Sequence, residues 1–291
     1  MSRRAVVVVL ALLLAGCGAA PGPVAGPTPD PGRRAAPAPT APAPTPPATA
    51  VDPPDPDPGY SDWPLGTRVL PLRADGFGVV RATPRALRER RYPTTDLLPP
   101  PADGRFHATI TALPPDVRAR LVWEPGCPVT LADLRYLTVS FRGFDGAAHT
   151  GELVVAASQA RGVAGVFRTL FRADFPIEEM RLPTQADVDA PPTGDGNDTA
   201  AYVCRAAVGS ATYSEHAKGL ALDLNPFQNP YLKGDLVLPE RARSYLDRDR
   251  VRPGMITPDS VAVRAFARIG WSWGGAWRSL KDYQHFSATG R

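Results

Sequence analysis

Ser214-Glu-His216 opens a segment that runs through Gly219 and Ala221 to Asp223-Leu-Asn-Pro226, and a second segment, Asp282-Tyr-Gln-His285-Phe286, answers it near the C-terminus. Two neutral imidazoles and one carboxylate, offered from separated stretches of chain, are a hard-to-borderline donor set suited to Zn²⁺ with one coordination position left open. Asp282 precedes the second histidine by three residues, close enough to handle the proton of a water activated there. The chemistry implied is metal-assisted hydrolysis. A lone His–Asp spacing would be a weak signal, but the chain has only 4 His in all, and two of them fall in these segments.

The surrounding residues describe the elements that must hold the donors. Residues 219–224 alternate like a half-buried strand, and small residues at 219 and 221 leave room beside the Asp223 carboxylate. Trp271-Ser-Trp273-Gly-Gly-Ala-Trp277 reads as an aromatic wall with a glycine turn; segments 272–273 and 285–286 are expected to pair as short strands around it. Further back, 136–144 and 152–157 read as two strands around a Phe-Asp-Gly turn. Residues 158–171 carry Val163, Val166, Phe167, Leu170 and Phe171 at helical spacing. Residues 258–269 read as a helix with Pro258 near its start and Gly270 just beyond its end. Strands and helices without regular βαβ alternation argue for an α+β fold.

These motifs resemble those of the zinc D-Ala-D-Ala carboxypeptidases and L-alanyl-D-glutamate peptidases of bacterial cell walls, whose fold is shared with the hedgehog signalling domain. The family pattern is Ser-x-His-x-x-Gly-x-Ala-x-Asp, a Trp-Gly-Gly turn, then Asp/Glu-x-x-His. Ser214, His216, Gly219, Ala221 and Asp223 fill the first part; Trp273, Gly274, Gly275, Trp277, Asp282 and His285 fill the rest. Softer matches run back through Cys127-Pro128, Phe144-Asp-Gly146, Gly151-Glu-Leu153, Phe175-Pro-Ile177 and Asn197-Asp-Thr199. Ala276 stands where the turn commonly has Asp, and Ser287 where Glu commonly follows His-Phe; neither is a ligand position, so the departures bear on substrate preference.

The resemblance implies a single hedgehog/DD-peptidase-like domain, a small antiparallel sheet with flanking helices. It implies one Zn²⁺ on His216, Asp223 and His285, with Asp282 as general base and then acid. An Arg ahead of the Ser-x-His segment stabilises the oxyanion in the family, and Arg205 is the best match; the alternative is a surface ion pair. Ser214 is then a substrate contact or a turn cap. Trp273 and Trp277 line the peptide cleft, or pack in the core as tryptophans commonly do. Peptidoglycan stem peptides are the implied substrates, cut by a carboxypeptidase or an endopeptidase. A catalytically silent cell-wall-binding module on the same fold is the rival, and a retained Asp282 speaks against it.

The N-terminus suggests the compartment. Arg3-Arg4 precede an apolar run over residues 5–15, which suits a signal segment and is shorter than the about 20 residues that span a bilayer. Leu14-Ala-Gly-Cys17 resembles a bacterial lipobox, giving residues 1–16 as signal peptide and Cys17 as a lipidated first residue; cleavage after Ala20 would instead release a soluble protein. The Arg pair also hints at twin-arginine export. Pro, Ala, Thr, Gly and Asp dominate up to Pro58, so residues 17–62 are expected as an extended linker reaching on the order of 120 Å, and 63–291 as the peptidase domain. The expected location is the outer face of the bacterial cell membrane, held through the N-terminal lipid, as a monomer. A formal charge of +4 is too small to imply a nucleic-acid partner. With Cys17 assigned to lipid, an exported chain with 3 Cys is left with Cys127 and Cys204, either as a disulfide or as two buried thiols.

Overall fold

The structure, a computed structural model, describes residues 59–291; Cys17, the Arg3-Arg4 pair and the Pro-rich stretch up to residue 58 lie outside the described residues. Among the described residues no helix is long and apolar enough to cross a membrane.

Strand β1 (Ala108–Thr111) and the short helix α1 (Pro115–Arg120) lead into a long hairpin, β2 (Leu134–Arg142) and β3 (Ala148–Ala156). The hairpin is antiparallel from Leu134↔Ala156 to Arg142↔Ala148, and β1 adds to its β2 edge. Asp145 Oδ1 accepts from Ala147 N at the turn, where Gly146 takes φ 80°. Strand β3 therefore begins four residues before the 152–157 segment expected from sequence. Ala-His-Thr-Gly is a weak strand signal by propensity, and pairing with β2 overrides it.

Helix α2 (Ala160–Arg172) buries Val163, Val166, Phe167, Leu170 and Phe171, the stripe read from the sequence. After helix α3 (Gln185–Asp189) come β4 (Ala221–Asp223), β5 (Tyr231–Lys233) and β6 (Leu236–Leu238). Helix α4 (Val261–Ala267) follows, shorter than expected because Ser260 caps it by accepting from Val263 N. Strands β7 (Ser272–Trp273), β8 (Lys281–Asp282) and β9 (His285–Ser287) complete the chain. The fold is α+β, with three three-stranded antiparallel sheets among the described residues, ordered β1-β2-β3, β4-β9-β7 and β6-β5-β8.

One apolar core joins the hairpin to the β4-β9-β7 sheet. Leu137, Val139, Leu153 and Val155 meet the buried stripe of α2, which also packs on Phe266 of α4, Trp271, Trp273, Leu222, Leu224 and Phe286. Phe286 is fully buried and stacks on Phe266 at 4.0 Å between ring centroids. Truncating such a ring to alanine costs about 3–5 kcal/mol, so the core anchors β9 firmly.

The N-terminal part of the described chain wraps this body. Trp63 Nε1 donates to Asp195 Oδ2 at 2.8 Å. Arg90, almost without exposure, makes a two-pronged pair with Glu178 at 2.6 and 2.8 Å and donates to the Asp195 carbonyl. Asn197 donates to the same Glu178 and accepts from Phe227 N, so the buried ions are fully engaged and fix segment 195–199.

Cys127 and Cys204 form a disulfide, with Cα atoms 6.0 Å apart and a sequence separation of 77. Closing so long a loop stabilises by at most about 4–5 kcal/mol in the chain-entropy picture. Peptide mapping without reductant is expected to recover a linked Cys127–Cys204 peptide, and the double Ser variant to unfold at lower denaturant concentration. Two alkylatable thiols in the untreated protein would contradict the bridge.

Candidate active site

Each candidate donor sits where local backbone rules place it. Ser214 caps a 3₁₀ turn, Glu215–Lys218, by accepting from His216 N, and Gly219 ends the turn at φ 67°. A side chain at 219 would suffer twice: the left-handed conformation disfavours it, and a Cβ would lie 2.5 Å from Ala156 N. The strand expected over 219–224 is thus only Ala221–Asp223. In β4 and β9 side chains alternate: Leu222 and Phe286 enter the core, while Asp223 and His285, directly opposed in register, line a pocket of about 950 Å³. Asp223 is also bonded on its other edge, exchanging both backbone hydrogen bonds with Ala200.

His216, Asp223 and His285 converge, each offering one donor atom within 4.8 Å of the others. His216 Nε2 lies 3.2 Å from Asp223 Oδ2 and 3.3 Å from His285 Nδ1, and His285 Nδ1 lies 3.1 Å from Asp223 Oδ1. Donors placed tetrahedrally about 2.0–2.1 Å from one ion would be roughly 3.3 Å apart, so the spacing fits a zinc-sized cation. The far nitrogen of each ring explains the orientation. His216 Nδ1 lies 2.6 Å from the Ala201 carbonyl and His285 Nε2 lies 2.9 Å from the Arg291 main-chain oxygen. A carbonyl only accepts, so those nitrogens carry the protons, and the two lone pairs face the carboxylate. Such a cluster demands positive charge at its centre.

The ionisation of these groups reflects that demand. Burial pushes the His285 imidazolium down, but its hydrogen bond to Asp223 and the charges of Asp223 and Asp282 outweigh this and lift it to about 9. Burial pushes Asp223 up, yet the two histidines hold it well below the carboxylate range. Asp282 moves the other way: burial and then the Asp223 charge push it up to about 7, with His285, Gln284 and Arg205 opposing. Its Oδ1 is enclosed and has no hydrogen-bond partner among the described residues, an acceptor left open for a proton.

The glycine turn sets the position of Asp282. A Cβ on Gly274 would lie 2.7 Å from the Asp282 carbonyl and 3.3 Å from His285 Cβ, so only glycine lets the turn close over both residues. Arg205 is half-buried and lines the same pocket; no carboxylate pairs with it among the described residues, which disfavours the surface-pair alternative. Its carbonyl accepts from Ser214 N at 3.1 Å, and its neighbour Cys204 carries the disulfide. Ser214 both caps and lines the pocket.

The tryptophans separate. Trp277 lines the pocket with its ring 5.4 Å from that of His285, and it donates to the Gly290 carbonyl. Trp273 is buried in the core, donates to the Tyr283 carbonyl and is not among the pocket-lining residues. It supports the sheet from behind rather than facing a substrate. Sequence reasoning overlooked Tyr231 and Gln284, which also line the pocket; the Asn-Pro-Tyr231 triplet hints at a turn into a strand, but the partner strand is distant in sequence. It also had no means of seeing the carbonyls of Ala201 and Arg291.

A cation must displace the proton that His285 holds without it, so metal affinity is expected to tighten as pH rises from 7 toward 9. Titration calorimetry in buffers of differing ionisation enthalpy checks this; binding without proton release would show that the three donors do not act together.

No curated protein and no solved structure matches the chain. A family model does: residues 208–288 match the one described as D-alanyl-D-alanine carboxypeptidase. The match holds all three converging donors, the glycine turn and Asp282, and it begins just after Arg205. The resemblance read from the motifs is thereby supported: the segment that builds this site is similar to that of the D-alanyl-D-alanine carboxypeptidases.

Proposed function

We propose that the protein is an exported zinc peptidase that trims peptidoglycan stem peptides, acting as a D-Ala-D-Ala carboxypeptidase. The observation that carries the reading is the convergence of His216 Nε2, His285 Nδ1 and the Asp223 carboxylate at 3.1–3.3 Å. Each imidazole is locked by a carbonyl behind it, beside an acid with a free, enclosed oxygen. Three protein donors of N and O type leave a position open, as catalytic zinc sites do.

In this reading His216, Asp223 and His285 hold one Zn²⁺, which supplies Lewis acidity toward the scissile carbonyl and acidifies water. Asp282 accepts the proton of the attacking water and returns it to the leaving amine. A carboxylate poised near neutrality suits both transfers, since neither direction is strongly uphill. Arg205 faces the carbonyl oxygen as it gains negative charge, and the disulfide and the Arg205–Ser214 backbone bond limit its wandering. Trp277 offers an apolar wall beside His285. The pocket continues from this centre to Leu65, Gly66 and Thr193–Asp195, room for peptide beyond a terminal dipeptide. That extension also suits scission within the stem, and mass analysis of digested muropeptides distinguishes loss of one terminal Ala from an internal cut.

The same reading assigns residues 1–16 to a signal peptide, lipid to Cys17, a tether to 17–62 and the peptidase to 63–291, working as a monomer at the outer face of the membrane. Cys17→Ser is expected to move the protein out of the membrane fraction or leave it unprocessed; membrane recovery with a mature start other than residue 17 would refute the anchor.

His216→Ala, Asp223→Ala and His285→Ala are each expected to abolish stoichiometric zinc. Asp282→Asn should keep the metal while turnover falls by about 10²–10⁴-fold. Arg205→Lys should not rescue, because lysine keeps the charge but loses the planar fork. Metal analysis beside muropeptide turnover reads all five variants, and full activity in Asp282→Asn would remove the proposed base.

A further inference from the structure

Tyr231 has no part in the chemistry described so far. It pairs in register with Asp282, β5 against β8. Directly opposed residues of an antiparallel pair project from the same face, with Cβ atoms about 4.5–5.5 Å apart. The phenol ring therefore stands beside the Asp282 side chain, and both residues line the pocket that holds His216, Asp223 and His285.

The hydroxyl is unused. Tyr231 is only 7% exposed, yet its hydroxyl has no hydrogen-bond partner among the described residues. The phenols of Tyr92, Tyr136 and Tyr245 all bond within the protein. Tyr202 also lacks a partner, but its oxygen is enclosed in the core, whereas that of Tyr231 is not enclosed. A buried tyrosine normally satisfies its O–H, so one whose hydroxyl stays free in a pocket is set to meet something that enters. Burial, and then the Asp282 charge, push the phenol up from its ordinary value, so it keeps its proton and is able to donate it in a hydrogen bond.

We propose that Tyr231 is a catalytic residue whose phenol O–H donates a hydrogen bond to the scissile carbonyl oxygen as negative charge builds there, alongside Arg205. The inference rests on the peptidase reading above. Tyr231 neither gives up its proton nor forms a bond; it stabilises charge that is absent from the ground-state substrate and so acts on turnover rather than on binding.

Tyr231→Phe removes only the hydroxyl. That hydroxyl has no hydrogen-bond partner among the described residues, so zinc content and unfolding midpoint are expected to match the wild type. Against purified muropeptides kcat is expected to fall by about 10²–10³-fold with KM nearly unchanged. A phosphinate isostere of the bond that the wild type cuts should lose affinity by the same factor as kcat/KM, a readout that a packing role would not move. An unchanged kcat in Tyr231→Phe, or a lowered kcat with undiminished phosphinate affinity, overturns the inference while leaving the peptidase reading in place. A wild-type protein that holds zinc yet cuts no muropeptide overturns that reading and this inference with it.

Discussion

Two imidazole lone pairs and a carboxylate facing one another at little more than 3 Å are the constraint on which the rest of this structure turns. Left to themselves such groups repel or gather protons, and only a rigid frame keeps them aimed at a common point. The frame is backbone. Carbonyls of Ala201 and Arg291 take the far N–H of each ring, and Ala200 clasps Asp223 from the strand's free edge. Segment 195–201, which provides two of these contacts, is in turn held by the Arg90–Glu178–Asn197 network. Breaking a buried pair of that kind costs about 3–5 kcal/mol because it strands a charge, so the wrap formed by the N-terminal part of the described chain is tied energetically to the placement of a donor far along the sequence.

Sheet alternation converts core packing into site geometry. Leu222 and Phe286 are drawn inward by apolar burial, and the period of two then leaves Asp223 and His285 no choice but the pocket. The two-residue strand β7 completes this sheet, while its glycine turn brings Asp282 close enough to feel the Asp223 charge. Burial and that charge shift Asp282 upward, while for His285 the hydrogen bond to Asp223 and the carboxylate charges outweigh burial and raise it; such shifts are characteristic of sites built for proton handling.

Much of this was legible in the residues. The donors, Asp282, the pairing of 272–273 with the segment after 284, the α2 stripe and the disulfide all follow from local pattern, residue chemistry and resemblance. The segments that meet in three dimensions were harder to see. Gly219 looked like part of a strand because alternation does not reveal that its φ is positive. Trp273 and Trp277 look alike in sequence, and only the sheet decides that one enters the core while the other flanks His285. The β5–β8 pairing that sets Tyr231 against Asp282 joins positions far apart in sequence, with no local signal at either end. Carbonyl partners are invisible to side-chain reading altogether. The Ala276 and Ser287 departures also have local settings: Ala276 is exposed, whereas Ser287 is fully buried, its hydroxyl without a partner among the described residues, so the longer acid common after His-Phe would have no room there without rearrangement.

The central claim is that three named atoms gather a single zinc ion. Anomalous diffraction from crystals of the mature protein, recorded on either side of the zinc absorption edge, tests it most directly. The account predicts one peak per chain, about 2.0–2.2 Å from His216 Nε2, His285 Nδ1 and an Asp223 oxygen, with Asp282 outside bonding distance. No peak in zinc-supplemented crystals, or a peak bonded through His216 Nδ1 or through Asp282 in place of Asp223, would contradict it.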